Sequence, residues 1–85
     1  MDSYSVRVLA PAEKELRSVP KPDLKRISAR LQGLASNPRP HGAEKLSGEE
    51  RYRLRQGDWR IVYSIDDEDK EVVVVKIGHR REIYR

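Results

Sequence analysis

The spacing of apolar residues changes near the middle of this chain, and this change limits the folds it can adopt. From Leu24 to Leu34 the apolar residues recur at intervals of three and four, which forms one face of a helix. After Glu50 apolar and polar residues alternate over 51–77, which is typical of strands with one buried face. Helices followed by strands predict an α+β fold in which a helical hairpin packs on a mainly antiparallel sheet.

Proline residues and a polar loop divide the chain into elements. Pro11 and Pro22 are predicted to start two helices, because the fixed φ of proline suits a first helical turn. Pro20 ends the first helix, and the second should end near Asn37. The predicted order is β-α-α-β-β-β with a loop over 38–50, and the strands cover 4–9, 51–56, 59–65 and 71–77.

Length and composition exclude several classes of protein. The 85 residues predict a single domain over 1–85, and the absence of Cys excludes disulfide and thiolate chemistry. Charged residues make up 38% of the chain and the net charge is +4, which favours partners such as nucleic acid or an acidic protein segment. No apolar run is long enough to span a membrane and no signal peptide is visible, so we expect a cytoplasmic protein.

The dipeptide Gly57-Asp58 predicts a tight type II′ hairpin turn. Counting outward from this turn places Arg55 directly opposite Arg60, with Arg53 on the same open face, and we expect that removing Arg60 would leave no core cavity. Like charges directly opposite each other destabilise a sheet, so a bound phosphate would give this pair a role. The alternative is a solvated face on which the arginines pair with nearby acids, namely Glu49, Glu50 and Asp58.

Two other groups of polar residues have weaker patterns. Near the C-terminus, His79 is a candidate acid or base, because histidine is the residue type that most often fills this role, and Tyr84 can stack on a base. A histidine at a strand end is, however, usually an ordinary surface residue. The acidic cluster over 66–71 lacks the spacing of a calcium loop and is interpreted as a solvated turn. His41 and His79 have no metal-ligand spacing, so we predict no metal site.

Three sequence blocks resemble the RelE/ParE toxin superfamily, and its RelE branch most closely. They are Lys45–Gly48, Tyr52–Tyr63 and Ile77–Arg85, which correspond to K-L-x-G, Y-R-x-R-x-G-D-[YW]-R-x-x-Y and G-H-R-R-x-x-Y. The blocks occur in the family's order and spacing, and the N-terminal strand and helices match as well. The resemblance therefore spans nearly the whole chain and implies a RelE-like fold.

The resemblance also implies an activity. RelE-like toxins of type II toxin–antitoxin systems enter the ribosomal A site and cleave mRNA there, without a cofactor. Carried over to this chain, the implied catalytic residues are Arg60, Arg80, Tyr84 and His79. The implied RNA- or phosphate-binding residues are Arg53, Arg55, Arg81 and Lys45.

The same superfamily leaves a second function open. ParE-type relatives share the fold but inhibit DNA gyrase and are not nucleases. The basic residues and the C-terminal Tyr84 favour the nuclease. Either function implies a cognate antitoxin. An acidic amphipathic antitoxin segment would fit the basic strands or the Lys25, Arg26 and Arg30 side of the second helix. The nuclease implies the ribosome and mRNA as further partners.

Overall fold

Two helices pack on one face of a five-stranded sheet in the computed structural model, which describes residues 3–46 and 50–80. The strands are β1 (Ser5–Val8), β2 (Glu44–Lys45), β3 (Arg51–Gln56), β4 (Trp59–Asp66) and β5 (Glu71–His79), and the helices are α1 (Ala10–Arg17) and α2 (Lys21–Ser36). The strand order is β1-β5-β4-β3-β2, and β1 with β5 is the parallel pair. This arrangement confirms the predicted α+β fold with a mainly antiparallel sheet.

The apolar stripe of α2 lies against the sheet as its spacing predicts. Ile27 and Leu34 are fully buried, Leu31 is 7% exposed, and Leu24 packs on the same core. Both helices carry a proline in the first turn, where the missing N–H costs no intrahelical hydrogen bond. The helical stripe and one face of the sheet therefore form a single core.

The β3–β4 hairpin has the register that its turn predicts. Gly57 has a φ of +60°, a conformation that glycine adopts without strain, and Asp58 is outside the positive-φ region, which fits a type II′ turn. From this turn Gln56 pairs with Trp59, and Arg55 pairs with Arg60. Because the turn sets the register, the side-chain faces of both strands follow directly from the sequence.

Two features of the sheet differ from the predicted strands. The segment 38–50, predicted as a loop, contains β2, which pairs Glu44 with Arg53 at the edge of the sheet. β5 continues past Ile77 to His79, where it pairs with Trp59. A register shift between Val62 and Tyr63 accompanies this longer pairing of β4 with β5.

A buried tyrosine anchors the segment between α2 and β2. The Tyr63 ring is fully buried, and its hydroxyl donates a 2.8 Å hydrogen bond to the carbonyl of Pro38. Burial raises the pKa of Tyr63 to about 12. Tyr52 stacks on Tyr63 at 5.8 Å between ring centroids, so two cross-strand neighbours support the same segment.

The acidic turn after β4 is exposed over 66–69, which confirms its interpretation as a solvated turn, and it also makes specific contacts. Asp67 accepts two hydrogen bonds from Arg39, at 3.1 and 2.9 Å, and one from the Tyr4 hydroxyl at 2.7 Å. The hydrogen bond from Arg39, followed by that from Tyr4, lowers the pKa of Asp67 from 3.8 to about 2. Asp66 accepts hydrogen bonds from the backbone N–H groups of Glu68 and Asp69. The turn is therefore tied to Tyr4, which precedes β1, and to Arg39 in the segment after α2.

Neither helix has the length and apolar composition needed to cross a membrane, within the residues that the structure describes.

Candidate nucleic-acid interface

The face of the sheet opposite the helices carries a row of arginines. Arg51, Arg53 and Arg55 lie on alternate positions of β3, and the register places Arg60 of β4 on the same face. Their neighbours Leu54 and Ile61 point the other way into the core. We call the surface formed by Arg51, Arg53, Arg55 and Arg60 the arginine face.

Arg55 and Arg60 are direct cross-strand partners, as the sequence predicts. Arg55 is exposed, whereas Arg60 lies on the neighbouring strand beneath the surface. Over residues 3–46 and 50–80, no carboxylate forms a salt bridge with either guanidinium group. The two positive charges are therefore close together without a neutralising acid in the described part of the chain, an arrangement that a phosphate would stabilise.

Arg60 is buried, which corrects the expectation that its removal would leave no cavity. Its exposed fraction is 6%. One terminal nitrogen, Nη1, donates to the carbonyls of Gly57 and Trp59 at 2.8 and 2.9 Å. The Nε atom is buried without a hydrogen-bond partner in the described residues. Buried N–H donors are nearly always satisfied, so this unpartnered Nε is an exception among the described residues.

Arg53 and Arg80, in contrast, are held by carboxylates. Glu44 of β2 accepts a 2.7 Å hydrogen bond from Arg53. Arg80 donates its backbone N–H to the carbonyl of Asp58 at 2.8 Å, and its Nε lies 3.8 Å from the Asp58 carboxylate. These contacts orient the two arginines along the sheet. Glu44 has no signal in the sequence, because a strand of two residues has no alternation to detect.

The hairpin turn brings Arg60 and Arg80 to the same end of the arginine face. Arg60 is bonded to the carbonyl of Gly57, and Arg80 is bonded to the next residue, Asp58. The two arginines predicted to act together are therefore attached to adjacent residues of one turn. They come from elements that are 20 residues apart in sequence, so the sheet is what places them together.

The structure separates two predicted residues from the arginine face. Lys45 pairs with Tyr52, whose side chain lies on the helix side of the sheet, and its Nζ is 3.4 Å from Glu50. His79 pairs with Trp59, and the two rings meet edge to face at 5.5 Å. The Trp59 indole donates to Asp23 of α2 at 3.3 Å, which places this pair on the helix side as well.

Two predicted residues, Arg81 and Tyr84, lie outside the described residues. Within the described ranges, His, Asp and Glu side chains form no cluster of three or more that is suited to hold a metal ion.

These features define a class of small basic α+β domains, with helices on one face of the sheet and an arginine row on the other. The family described as ParE toxin of type II toxin–antitoxin systems matches residues 6–84. Toxin RelG of Mycobacterium tuberculosis is 33% identical over 86 aligned positions, which cover 96% of this chain and 97% of RelG.

Solved structures have the same fold. The archaeal RelE–RelB complex of Pyrococcus horikoshii aligns with a TM-score of 0.85 and 30% identity, over 94% of this chain and 98% of the matched chain. The toxin–antitoxin complex RelBE2 of Mycobacterium tuberculosis aligns with a TM-score of 0.81 and 28% identity, over 92% and 99%. The chain therefore belongs to the RelE/ParE superfamily of type II toxin–antitoxin toxins.

Proposed function

We propose that this protein is a ribosome-dependent endoribonuclease that cleaves mRNA and stops translation until an antitoxin neutralises it. The observation that supports this proposal most directly is the Arg55–Arg60 pair, which lacks a carboxylate partner in the described residues. A sheet gains no stability from two adjacent like charges. A polyanionic ligand would neutralise the two charges, and the net charge of +4 also favours a polyanionic ligand.

The arginines of β3 are spaced along an extended strand, and this spacing suits an extended RNA backbone. Arg53 and Arg55 are two residues apart on β3, which spaces their side chains by roughly 7 Å. In the proposal they bind successive phosphates of the RNA or of the ribosome. The planar guanidinium fork of arginine matches the geometry of a phosphate, so we assign both residues to phosphate binding.

Cleavage requires that the 2′-hydroxyl of the RNA attack the adjacent phosphorus, which expels the 5′-oxygen of the next nucleotide. Negative charge accumulates on the phosphoryl oxygens as the new P–O bond forms. Arg60 and Arg80, which are attached to the two residues of the turn, are the groups proposed to stabilise this charge. Arg60 is already fixed by two carbonyls, so little reorganisation is needed during the reaction.

The attack also needs an acceptor for the hydroxyl proton and a donor for the leaving oxygen. Tyr84 remains the proposed residue for stacking on the nucleotide or sharing in proton transfer, and Arg81 for a further phosphate contact. His79 lies beside Trp59 on the helix side of the sheet, away from Arg60. We therefore do not assign His79 to proton transfer in this proposal. Lys45 pairs with Tyr52 on the helix side of the sheet, so we do not assign it a phosphate contact on the arginine face either.

The proposed protein partner is a cognate antitoxin, since the Pyrococcus horikoshii and Mycobacterium tuberculosis relatives are toxin–antitoxin complexes. An acidic segment lying along the arginine face would neutralise the Arg55–Arg60 pair and exclude RNA at the same time. The exposed Lys25 and Arg26 of α2 offer a second basic surface for the same partner. We expect expression of the toxin alone to arrest growth, and co-expression of the antitoxin to restore it.

The test is a purified translation reaction stopped with the mRNA on the ribosome, followed by primer extension to locate new 5′ ends. We expect cleavage within codons only when ribosomes and toxin are both present. A parallel supercoiling assay with DNA gyrase examines the ParE-type alternative. Loss of supercoiling without mRNA cleavage would overturn the nuclease proposal. For variants that remove a charge from the arginine face, Arg17→Gln is the charge-matched control, because Arg17 pairs with Glu13 on the exposed surface of α1.

A further inference from the structure

β5 has one extra residue where it pairs with the middle of β4. Tyr63 pairs with Val74 and Val62 pairs with Lys76, so Val75 has no partner in the register of the two strands. This is the arrangement of a β-bulge, which changes the face of the sheet that the following side chains occupy. Bulges are common next to active sites, where they redirect a side chain.

The bulge moves Lys76 away from the core face of the sheet. Val72 and Val74 are fully buried, so strict alternation would also place residue 76 in the core. Instead Lys76 is exposed, and Ile77 is the next fully buried residue of β5. The shift of one position therefore puts the lysine on the side of the sheet opposite the helices.

Cross-strand pairing places Lys76 beside the arginine face. Lys76 pairs with Val62, and Val62 pairs with Arg53, so these three side chains share one side of the sheet. Arg60 pairs with Gly78, two positions farther along β5, which makes Lys76 and Arg60 diagonal neighbours. Diagonal neighbours on adjacent strands are about 7–8 Å apart, a distance that long side chains can span. A phosphate bound at Arg60 is therefore within reach of the lysine side chain.

Lys76 has no acidic partner in the described part of the chain. Over residues 3–46 and 50–80 it forms no salt bridge and no side-chain hydrogen bond. Glu15 of α1 lines the same groove at the edge of the sheet but does not pair with it. A bulge interrupts regular strand pairing, and Lys76 adds a positive charge beside the arginine face. Neither feature stabilises the fold by itself, which favours a functional role.

We propose that Lys76 is the general acid of RNA cleavage and donates a proton from Nζ to the leaving 5′-oxygen; this inference rests on the proposed function. Lysine is one of the residue types that act as general acids, whereas the guanidinium fork of arginine is suited to bind phosphate. The proposed mechanism already directs Arg60 and Arg80 at the phosphoryl oxygens. A separate group is therefore needed at the leaving oxygen, and Lys76 approaches the same phosphate from the neighbouring strand.

In this step the bond between O2′ and phosphorus forms while the bond between phosphorus and O5′ breaks. The 2′-hydroxyl releases its proton to water, and the electron pair of the breaking bond moves to O5′. That oxygen takes a proton from Nζ of Lys76, and the amine that remains then regains a proton from water. The products are a 2′,3′-cyclic phosphate and a 5′-hydroxyl, and the lysine returns to its starting state.

The test is single-turnover cleavage of two ribosome-bound mRNAs that differ in one atom. One carries the natural 5′-oxygen at the cleavage position, and the other carries a bridging sulfur there. A thiolate leaves without being protonated, so the sulfur mRNA needs no general acid. We expect Lys76→Met to cleave the oxygen mRNA about 10²-fold more slowly than the wild type, and the sulfur mRNA at nearly the wild-type rate.

Two further variants separate proton transfer from charge. Lys76→Arg keeps the positive charge and should still cleave the oxygen mRNA slowly, because arginine is a poor proton donor. Lys14→Met removes an exposed lysine from α1, away from the arginine face, and should cleave both mRNAs at the wild-type rate. Because Lys76 is exposed, the Tm of both Lys76 variants should match that of the wild type.

Equal slowing of both mRNAs by Lys76→Met, or wild-type cleavage of the oxygen mRNA by Lys76→Arg, would overturn the general acid, since Lys76 would then act through its charge alone. Wild-type cleavage of the oxygen mRNA by Lys76→Met would overturn it as well. These results leave the nuclease itself intact, so they are distinct from a failure of the proposed function. A wild-type protein that cleaves neither mRNA on the ribosome would contradict the nuclease and the general acid together.

Discussion

Arg55 and Arg60 are directly opposite each other on β3 and β4, and neither forms a salt bridge within the described residues. Arg55 is exposed and Arg60 is 6% exposed, so one charge is at the surface and the other is fixed beneath it. A buried charge is weakly screened and attracts an anion more strongly than a solvated one. This relationship makes the arginine face a phosphate site in our account.

The first prediction is that inorganic phosphate stabilises the protein through this pair. A ligand that binds only the folded state at ten times its Kd adds about 1.4 kcal/mol, which raises the Tm by roughly 6–11 °C in a domain of this size. The measurement is a thermal melt over a phosphate series, with chloride keeping the ionic strength constant. Arg55→Gln should lose most of the rise, whereas Arg17→Gln should keep it. An equal rise in both variants would show that phosphate acts elsewhere.

The second prediction concerns the Arg39–Asp67 contact at the other end of the sheet. The pKa of Asp67 is lowered to about 2, so the folded state favours the ionised carboxylate. This contribution to stability is fully present above the ordinary pKa of 3.8 and is lost as the pH falls through 2. Asp67→Asn should therefore lower the Tm at neutral pH, and its difference from the wild type should shrink below about pH 4.

The matched control for this prediction is Asp69→Asn in the same turn, where the exposed carboxylate has no salt bridge among the described residues. Its Tm should follow that of the wild type over the whole pH range. If the difference between wild type and Asp67→Asn stays constant down to pH 2, the contact with Arg39 does not depend on the charge of Asp67.

The third prediction is that Leu31→Ala destabilises the fold. Leu31 is 7% exposed in the middle of the buried stripe of α2, and truncation of such a leucine costs about 2–5 kcal/mol. That is a large share of the roughly 5–15 kcal/mol that stabilises a typical domain. Equilibrium unfolding in urea measures the loss. The neighbouring Gln32 is exposed, so Gln32→Ala should leave the free energy of unfolding nearly unchanged.

Much of the fold follows from the sequence because local signals agree with each other. The stripe of α2 and the alternation of β3 and β4 each identify one buried face. The Gly57-Asp58 turn then fixes the register, so the Arg55–Arg60 pairing is predicted residue by residue. The alternation that buries Ile77 also places His79 on the helix side, so the position of His79 is encoded in the same local pattern.

Other features depend on contacts between distant segments and have no local signal. Asp23 and Trp59 are 36 residues apart, and Arg39 and Asp67 are 28 apart. Strand alternation tells which face Arg60 lies on, but it does not tell whether another part of the chain covers that face. This is why the register of Arg60 is predicted correctly while its burial is not.

The burial of Arg60 decides which substitution tests the site. Alanine would remove a buried side chain and leave a cavity, so a loss of activity would be confounded with a loss of stability. Methionine keeps an unbranched chain of similar bulk and removes the charge. Because a buried charge without a carboxylate partner is itself costly, we expect the Tm of Arg60→Met to be unchanged or higher.

The most direct measurement of the central claim is single-turnover cleavage of ribosome-bound mRNA by Arg60→Met, compared with the wild type and with Arg17→Met. We expect Arg60→Met to cleave about 10²–10³-fold more slowly while its melt remains wild-type, because it lacks the positive charge that stabilises the pentacoordinate phosphate. Arg17→Met should cleave at the wild-type rate. Wild-type cleavage by a folded Arg60→Met protein would contradict the assignment of the Arg55–Arg60 pair as the phosphate site.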